Sequence, residues 1–83
     1  MNSESALTVD VKSLAVAHWK AMLRDDVALL AMPGAHHKAL LGEANSLYLR
    51  LMIDVDDLSD LLELADAALA FAIESLLDIE TGE

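Results

Sequence analysis

The sequence contains no cysteine, which excludes disulfide bonds and thiolate metal sites. It also has only one proline, three glycines and three aromatic residues. Apolar residues, mostly Leu and Ala, nevertheless make up 55% of the 83 residues. Leu and Ala favour helix, and disorder requires a less hydrophobic chain. The composition therefore predicts an all-α fold, with residues 1–83 forming a single helical domain.

Targeting and membrane signals are also lacking. Residues 1–8 contain no basic residue and no long apolar run, so a secretory signal peptide is not expected. The chain has no run of ~18 uncharged apolar residues, the length that a membrane-spanning helix requires. We therefore expect a cytoplasmic protein that does not enter a membrane.

Basic residues are scarce, and they are confined to the first part of the chain. Residues 1–50 hold five acidic and five basic residues, whereas residues 51–83 hold ten acidic residues and no Lys or Arg. The net charge of −10 therefore belongs to the last 33 residues. Nucleic acids and anionic membranes are bound through cationic side chains, so neither is an expected partner. A protein with a basic or amphipathic surface is compatible with this charge.

Between residues 41 and 79, apolar residues recur at alternating spacings of three and four. This repeat is the ~3.5-residue period of packed helices, and it predicts a continuous buried stripe, called here the heptad seam. Its members are Leu41, Ala44, Tyr48, Leu51, Val55, Leu58, Leu62, Ala65, Leu69, Ala72, Leu76 and Ile79.

Pro33 and Gly34 mark the clearest interruption of the helical pattern. A first amphipathic helix is predicted over about residues 9–31, with Val11, Met22 and Leu29 at the centre of its apolar face. Pro followed by Gly suits a type II turn, and so short a connection predicts an antiparallel helical hairpin. The second helix is expected to begin near residue 35.

The course of the chain after residue 54 is ambiguous. Residues 54–60 include four Asp and one Ser, which prefer helix caps to helix interiors. A break there, capped by Asp57 or Ser59, gives helices over about 35–56 and 59–79 and a small antiparallel bundle. The heptad seam nevertheless continues in phase, which favours one long second helix in an oligomer. Ordinary helix lengths favour the break, and both alternatives remain open at this stage.

Two apolar residues in the last helix, Leu64 and Phe71, point away from the heptad seam. They are one heptad apart, and acidic residues surround them. An apolar centre within a negative rim suits a basic amphipathic helix, so we predict a partner-binding site there. A homodimer contact and a second core layer are the alternatives. The Leu64/Phe71 surface comprises Leu64, Ala67, Phe71, Asp60, Glu63, Glu74 and Asp78.

Neither histidine nor aspartate spacing predicts a metal site. His36 and His37 diverge by about 100° on a helix, and the position one turn after His36 is Leu40. The aspartates that begin at Asp54 lack the Gly of a calcium-binding loop. We expect no metal and no cofactor.

One short motif has a counterpart in a known family. Asn45-Ser46-Leu47, with Gly42 before it and an acidic helix after it, resembles the Asp-Ser-Leu motif of acyl and peptidyl carrier proteins. These are acidic helical domains of about this size that carry phosphopantetheine on the serine. The resemblance implies Ser46 as an attachment site.

No nucleophile–base pair, phosphate-binding glycine loop or metal cluster is visible in the sequence, so an enzyme is not expected. The sequence favours a small acidic protein-interaction module, such as an adaptor, a chaperone or an inhibitor that regulates a basic-surfaced partner. A homo-oligomerising structural protein and a carrier-like domain are the alternatives.

Overall fold

The computed structural model describes residues 3–81, with side chains over residues 11–78. This part of the chain forms four helices and no strand: α1 Ser3–Leu23, α2 Asp26–Ala31, α3 Pro33–Leu49 and α4 Val55–Thr81. The prediction of an all-α fold is confirmed. Within these residues, no helix combines the length and the apolar content needed to cross a bilayer.

The predicted first helix is two helices, and α1 begins at Ser3 rather than near residue 9. The break falls at Arg24 and Asp25. The Asp25 carboxylate accepts a hydrogen bond from the backbone N–H of Ala28 at 3.1 Å and so caps α2. Asp is among the preferred N-cap residues because its side chain satisfies an N–H group that has no partner within the helix. The prediction of one helix over 9–31 was therefore wrong.

Pro33 is the first residue of α3, and Gly34 lies inside that helix. Only Met32 separates α2 from α3, and it is extended, with φ −147° and ψ 79°. Proline restricts the preceding residue to such conformations, while its own fixed φ suits the first helical position. The predicted type II turn at Pro33-Gly34 was wrong because proline here starts a helix.

Helix α3 ends in a Schellman motif. The N–H of Met52 donates to the carbonyl of Leu47 at 2.9 Å, and the N–H of Leu51 donates to the carbonyl of Tyr48 at 3.0 Å. Leu51 holds the left-handed position of this motif, with φ 62°. Glycine is the usual residue there because it has no Cβ to clash.

Helix α4 begins with a reciprocal capping box. The Asp54 carboxylate accepts from the N–H of Asp57 at 2.8 Å, and the Asp57 carboxylate accepts from the N–H of Asp54 at 3.1 Å. The cap is therefore Asp54, not Asp57 or Ser59 as predicted. Residues 50–54 separate α3 from α4, so the alternative of one continuous helix over 35–79 was wrong.

The core is centred on Trp19 of α1, which is fully buried. Its indole N–H donates to the carbonyl of Leu40 in α3 at 2.9 Å, which satisfies the only polar atom of the side chain. The contact between α3 and α4 is the most extensive one between helices. The buried cluster consists of Trp19, Leu40, Ala44, Leu47, Ile53, Leu61 and Ala65.

The heptad seam is only partly buried. Ala44, Ala65 and Ala72 are buried as predicted, but Tyr48, Leu51 and Val55 are exposed. The chain reverses after α3, so the helical register of α4 starts anew and the continuous stripe has no structural counterpart. The side chain of Ile79 lies outside the described residues.

Gly42 lies in the interior of α3, and a Cβ added there would meet no atom within 4 Å. Glycine in a helix interior is less favourable than alanine by about 1 kcal/mol. We therefore expect Gly42→Ala to raise the free energy of unfolding by about that amount and the Tm by roughly 4–8 °C. Thermal unfolding followed by circular dichroism measures this shift. A lowered Tm would contradict the open surface around Gly42.

Candidate protein-binding surface

Helix α4 contains eight acidic residues and no Lys or Arg. Asp57 and Asp66 are among these acids, and both contact side chains of other helices. Asp57 forms an ion pair with Lys12 of α1 at 2.7 Å, and Asp66 is 2.8 Å from Nε2 of His37 in α3. These two contacts connect α4 with both of the longer helices that precede it.

The pair formed by Lys12 and Asp57 joins α1 to the first turn of α4. The Lys12 ammonium donates to the Asp57 carboxylate, and this hydrogen bond raises the pKa of Lys12 above its ordinary value. The same hydrogen bond, together with the backbone N–H of Asp54, lowers the pKa of Asp57. Asp57 therefore has a structural role, both as a helix cap and as the partner of α1.

The residues of the Leu64/Phe71 surface all lie on α4, and its two large apolar side chains are solvent-exposed. Phe71 is 57% exposed, and Leu64 is 39% exposed. They are seven residues apart, or about 10.5 Å along the helix axis. Ala67 lies between them and is exposed as well. Neither Leu64 nor Phe71 belongs to the buried cluster, so the alternative of a second core layer does not describe them.

The four acidic residues of this surface, Asp60, Glu63, Glu74 and Asp78, are exposed. Within the part of the chain that the structure describes, no ion pair or hydrogen bond engages the carboxylates of Asp60, Glu63 and Glu74. The negative charge that surrounds Leu64 and Phe71 is thus largely available to a partner.

One end of the Leu64/Phe71 surface borders α1, which the sequence did not indicate. A groove of about 120 Å³ runs between the two helices, and Lys20 of α1 lies in its wall together with Asp60 and Leu64. Lys20 therefore brings a positive charge to this end of the surface. The spacing of residues within one helix does not show which residue of another helix lies beside it. The sequence alone therefore could not place Lys20 next to this surface.

A second exposed apolar pair lies on α4, and the sequence analysis did not identify it. Ile73 and Leu77 are about half exposed. Ile73 follows Phe71 by two residues, so it lies about 200° around the helix from it. Ile73 and Leu77 lie along one edge of the buried side of α4, and the Leu64/Phe71 surface lies along the other edge. They therefore provide a control for experiments on the Leu64/Phe71 surface.

The histidines have separate partners in the structure. Nε2 of His36 donates to the carbonyl of Met22 at 2.8 Å and connects α3 with the end of α1, whereas His37 contacts Asp66. Nδ1 of His36 is buried and has no hydrogen-bond partner. In the described residues, no group of three or more His, Cys, Asp or Glu side chains is arranged to hold a metal ion.

Ser46 is half-buried in α3, three residues before that helix ends. Its backbone carbonyl accepts a hydrogen bond from the N–H of Arg50 at 3.0 Å. Ser46 therefore does not begin a helix, as the serine of carrier proteins does. The geometry around it gives the resemblance no further support.

Comparison of the chain with family models, with curated proteins and with solved structures gave no match. The proposed function therefore rests on the exposed surfaces of the protein itself.

Proposed function

We propose that this protein is a small acidic helical interaction module that binds a basic, amphipathic helix of a partner protein through the Leu64/Phe71 surface. One observation carries the proposal: two large apolar side chains are exposed beside the carboxylates of Asp60, Glu63 and Glu74, which no ion pair or hydrogen bond engages within the described residues. Such a module acts as an adaptor, a chaperone or an inhibitor that covers a basic surface.

The apolar centre of the surface supplies affinity. Leu64 and Phe71 are one heptad apart on the same helix, so a partner helix that lies along α4 contacts both with one apolar stripe. Full burial of an exposed Phe or Leu side chain contributes about 1.5–3 kcal/mol. Part of this gain is already realised in the free protein, because both side chains are partly covered.

The acidic rim supplies orientation and specificity. The carboxylates of Asp60, Glu63 and Glu74, which are not paired within the part of the chain that the structure describes, attract a cationic helix and steer it toward the apolar centre. A second copy of the same surface is repelled because it has the same charge. The rim therefore favours a different, basic protein over self-association at this site.

The direct test is the affinity for a fluorescently labelled synthetic helix with Leu at heptad spacing and Lys on its flanks, measured by anisotropy. We expect Phe71→Ser to raise the Kd about tenfold or more, which corresponds to about 1.4 kcal/mol of lost binding energy. The matched control is Ile73→Ser, which removes an apolar side chain of similar exposure, 47%, from another side of the same helix. The control variant should bind like the unmodified protein.

The electrostatic part of the proposal has its own comparison. Glu63→Gln and Glu74→Gln should each weaken binding and reduce its dependence on salt concentration. Asp66→Asn removes the same charge from α4, but Asp66 faces α3 and contacts His37, so its effect should be smaller. If Phe71→Ser and Ile73→Ser lower the affinity for the synthetic helix equally, a defined binding site is contradicted. Equal losses of affinity from the substitutions of Glu63, Glu74 and Asp66 would likewise indicate non-specific attraction.

A further inference from the structure

The groove beside Leu64 is one end of a longer trough between α1 and α4. A cleft of about 510 Å³ lies along α1, and it shares Val16, Lys20 and Asp57 with the groove that contains Leu64. The two form one continuous depression, called here the α1–α4 trough. A helix is about 10 Å wide with its side chains, so a partner helix that covers Leu64 also lies beside α1.

Helices α1 and α4 run side by side in the same direction. Lys12 of α1 pairs with Asp57 of α4 at 2.7 Å. Lys20, eight residues further along α1, lines the groove with Leu64, which is seven residues further along α4. These intervals correspond to about 12 Å and about 10.5 Å along the two helix axes. Lys20 is therefore level with Leu64, at the end of the Leu64/Phe71 surface nearer the start of α4.

Glu63 and Glu74 lie on the side of α4 that faces away from α1. Phe71 is only about 20° from Leu64 around the helix axis, whereas the two glutamates are about 80–100° from Leu64 in one sense. Leu61, which is buried and lines the groove against α1, is about 60° from Leu64 in the other sense. The two exposed apolar residues therefore have α1 on one side and carboxylates on the other.

Lys20 brings an unpaired positive charge to the α1 wall of the trough. It is half-buried, and no ion pair engages its ammonium in the part of the chain that the structure describes. In the α4 wall, Asp57 is already paired with Lys12, and Asp60 lines the groove without forming an ion pair with Lys20. The trough therefore has an unpaired cation on its α1 side and unpaired carboxylates on its α4 side.

On the basis of the proposed function, we propose that the partner helix of the Leu64/Phe71 surface is basic on one flank and acidic on the other. Its cations face Glu63 and Glu74 of α4, and a carboxylate faces Lys20 of α1. A helix with cations on both flanks places a like charge against Lys20 and removes water from it, which disfavours binding. Lys20 thus discriminates against helices that are basic on both flanks.

The test compares two labelled synthetic helices with the same Leu stripe, by anisotropy at moderate salt. The Lys/Lys helix has Lys on both flanks, and the Lys/Glu helix has Lys on one flank and Glu on the other. The measured quantity is the Kd of the Lys/Glu helix divided by the Kd of the Lys/Lys helix. Lys20→Glu should raise this ratio, because the new carboxylate repels the Glu flank and attracts the second Lys flank.

Lys38→Glu is the matched control, because Lys38 is exposed on α3 and the substitution changes the net charge equally. Lys38 precedes the buried Leu40 by two residues, so it lies about 200° around α3 from that core residue. We expect Lys20→Glu to raise the ratio about tenfold or more above the value for Lys38→Glu. Lys20→Gln, which adds no acid beside Asp60, should raise it about threefold, and circular dichroism verifies that each variant is folded.

Equal ratios for the Lys20 and Lys38 variants would overturn the proposal, because the bound helix would then not contact α1. Phe71→Ser separates this failure from a failure of the proposed function. If it weakens binding of both helices, the Leu64/Phe71 surface is the site and the ratios alone decide the role of Lys20. If it leaves both affinities unchanged, both proposals fall. If the wild-type chain sediments above 8.9 kDa and Lys20→Glu restores that mass, a second copy occupies the trough and the proposal is overturned as well.

Discussion

Replacement of Trp19 by alanine is expected to lower the free energy of unfolding by about 3–5 kcal/mol. Trp19 is fully buried among residues of α1, α3 and α4, and its indole N–H is bonded to the Leu40 carbonyl. Alanine leaves a cavity that the surrounding helices cannot fill and removes the hydrogen bond. A domain of this size has a total stability of roughly 4–12 kcal/mol, so the variant should be close to unfolding at room temperature.

Urea unfolding followed by circular dichroism measures this loss without the tryptophan fluorescence that the substitution removes. Trp19→Phe is the informative companion because it keeps most of the apolar volume and loses the hydrogen bond. We expect it to cost less than Trp19→Ala, with about 0.5–1.5 kcal/mol of the loss due to the missing hydrogen bond, because the Leu40 carbonyl keeps its intrahelical partner in α3. A Trp19→Ala variant that is as stable as the wild type would show that the helices do not pack around this side chain.

Leu61→Ala and Leu64→Ala are expected to differ strongly, although the two residues are three positions apart on α4. Leu61 is buried in the core cluster, and its truncation should cost about 2–5 kcal/mol. Leu64 is not in this cluster and is partly exposed, so its truncation should cost less than about 1 kcal/mol. Both substitutions remove the same atoms from the same helix, so the difference reports burial alone.

Parallel urea titrations of the two variants show which side of α4 faces the core. A larger loss for Leu64→Ala would mean that this side of α4 faces the core, and the Leu64/Phe71 surface would then not be available to a partner. The expected order also has a practical consequence. Substitutions at Leu64 and Phe71 should leave the fold intact, so their effects on binding can be read directly.

The all-α fold could be predicted from the sequence because abundant Leu and Ala favour helix wherever they fall. The helix boundaries were harder, because they depend on which capping residue is used. Asp25, Asp54 and Asp57 are similar as candidates in one sequence, yet Asp25 starts a short helix and Asp54 and Asp57 cap one another. Pro33 likewise permits either a turn or a helix start, and only the position of α2 against α3 decides between them.

For the candidate sites, the sequence predicts which residues share one helix, but not which helices lie side by side. Leu64, Ala67 and Phe71 share one side of a single helix, so the helical period was sufficient to group them. The groove beside Leu64 draws on both α1 and α4, and nothing in the linear spacing shows that Lys20 and Asp60 line it together. The heptad seam even placed Leu51 in the core, because its phase continued through a segment where the chain reverses.

The most direct test of the proposed function is a nuclear magnetic resonance titration of the isotope-labelled protein with the synthetic Lys/Leu helix. We expect the largest amide shift changes along one side of α4, at Asp60, Glu63, Leu64, Ala67, Phe71, Glu74 and Asp78. Ile73 and Leu77 should change little. Changes centred on Ile73 and Leu77, or changes scattered without a cluster, would contradict the assignment of the Leu64/Phe71 surface as the binding site.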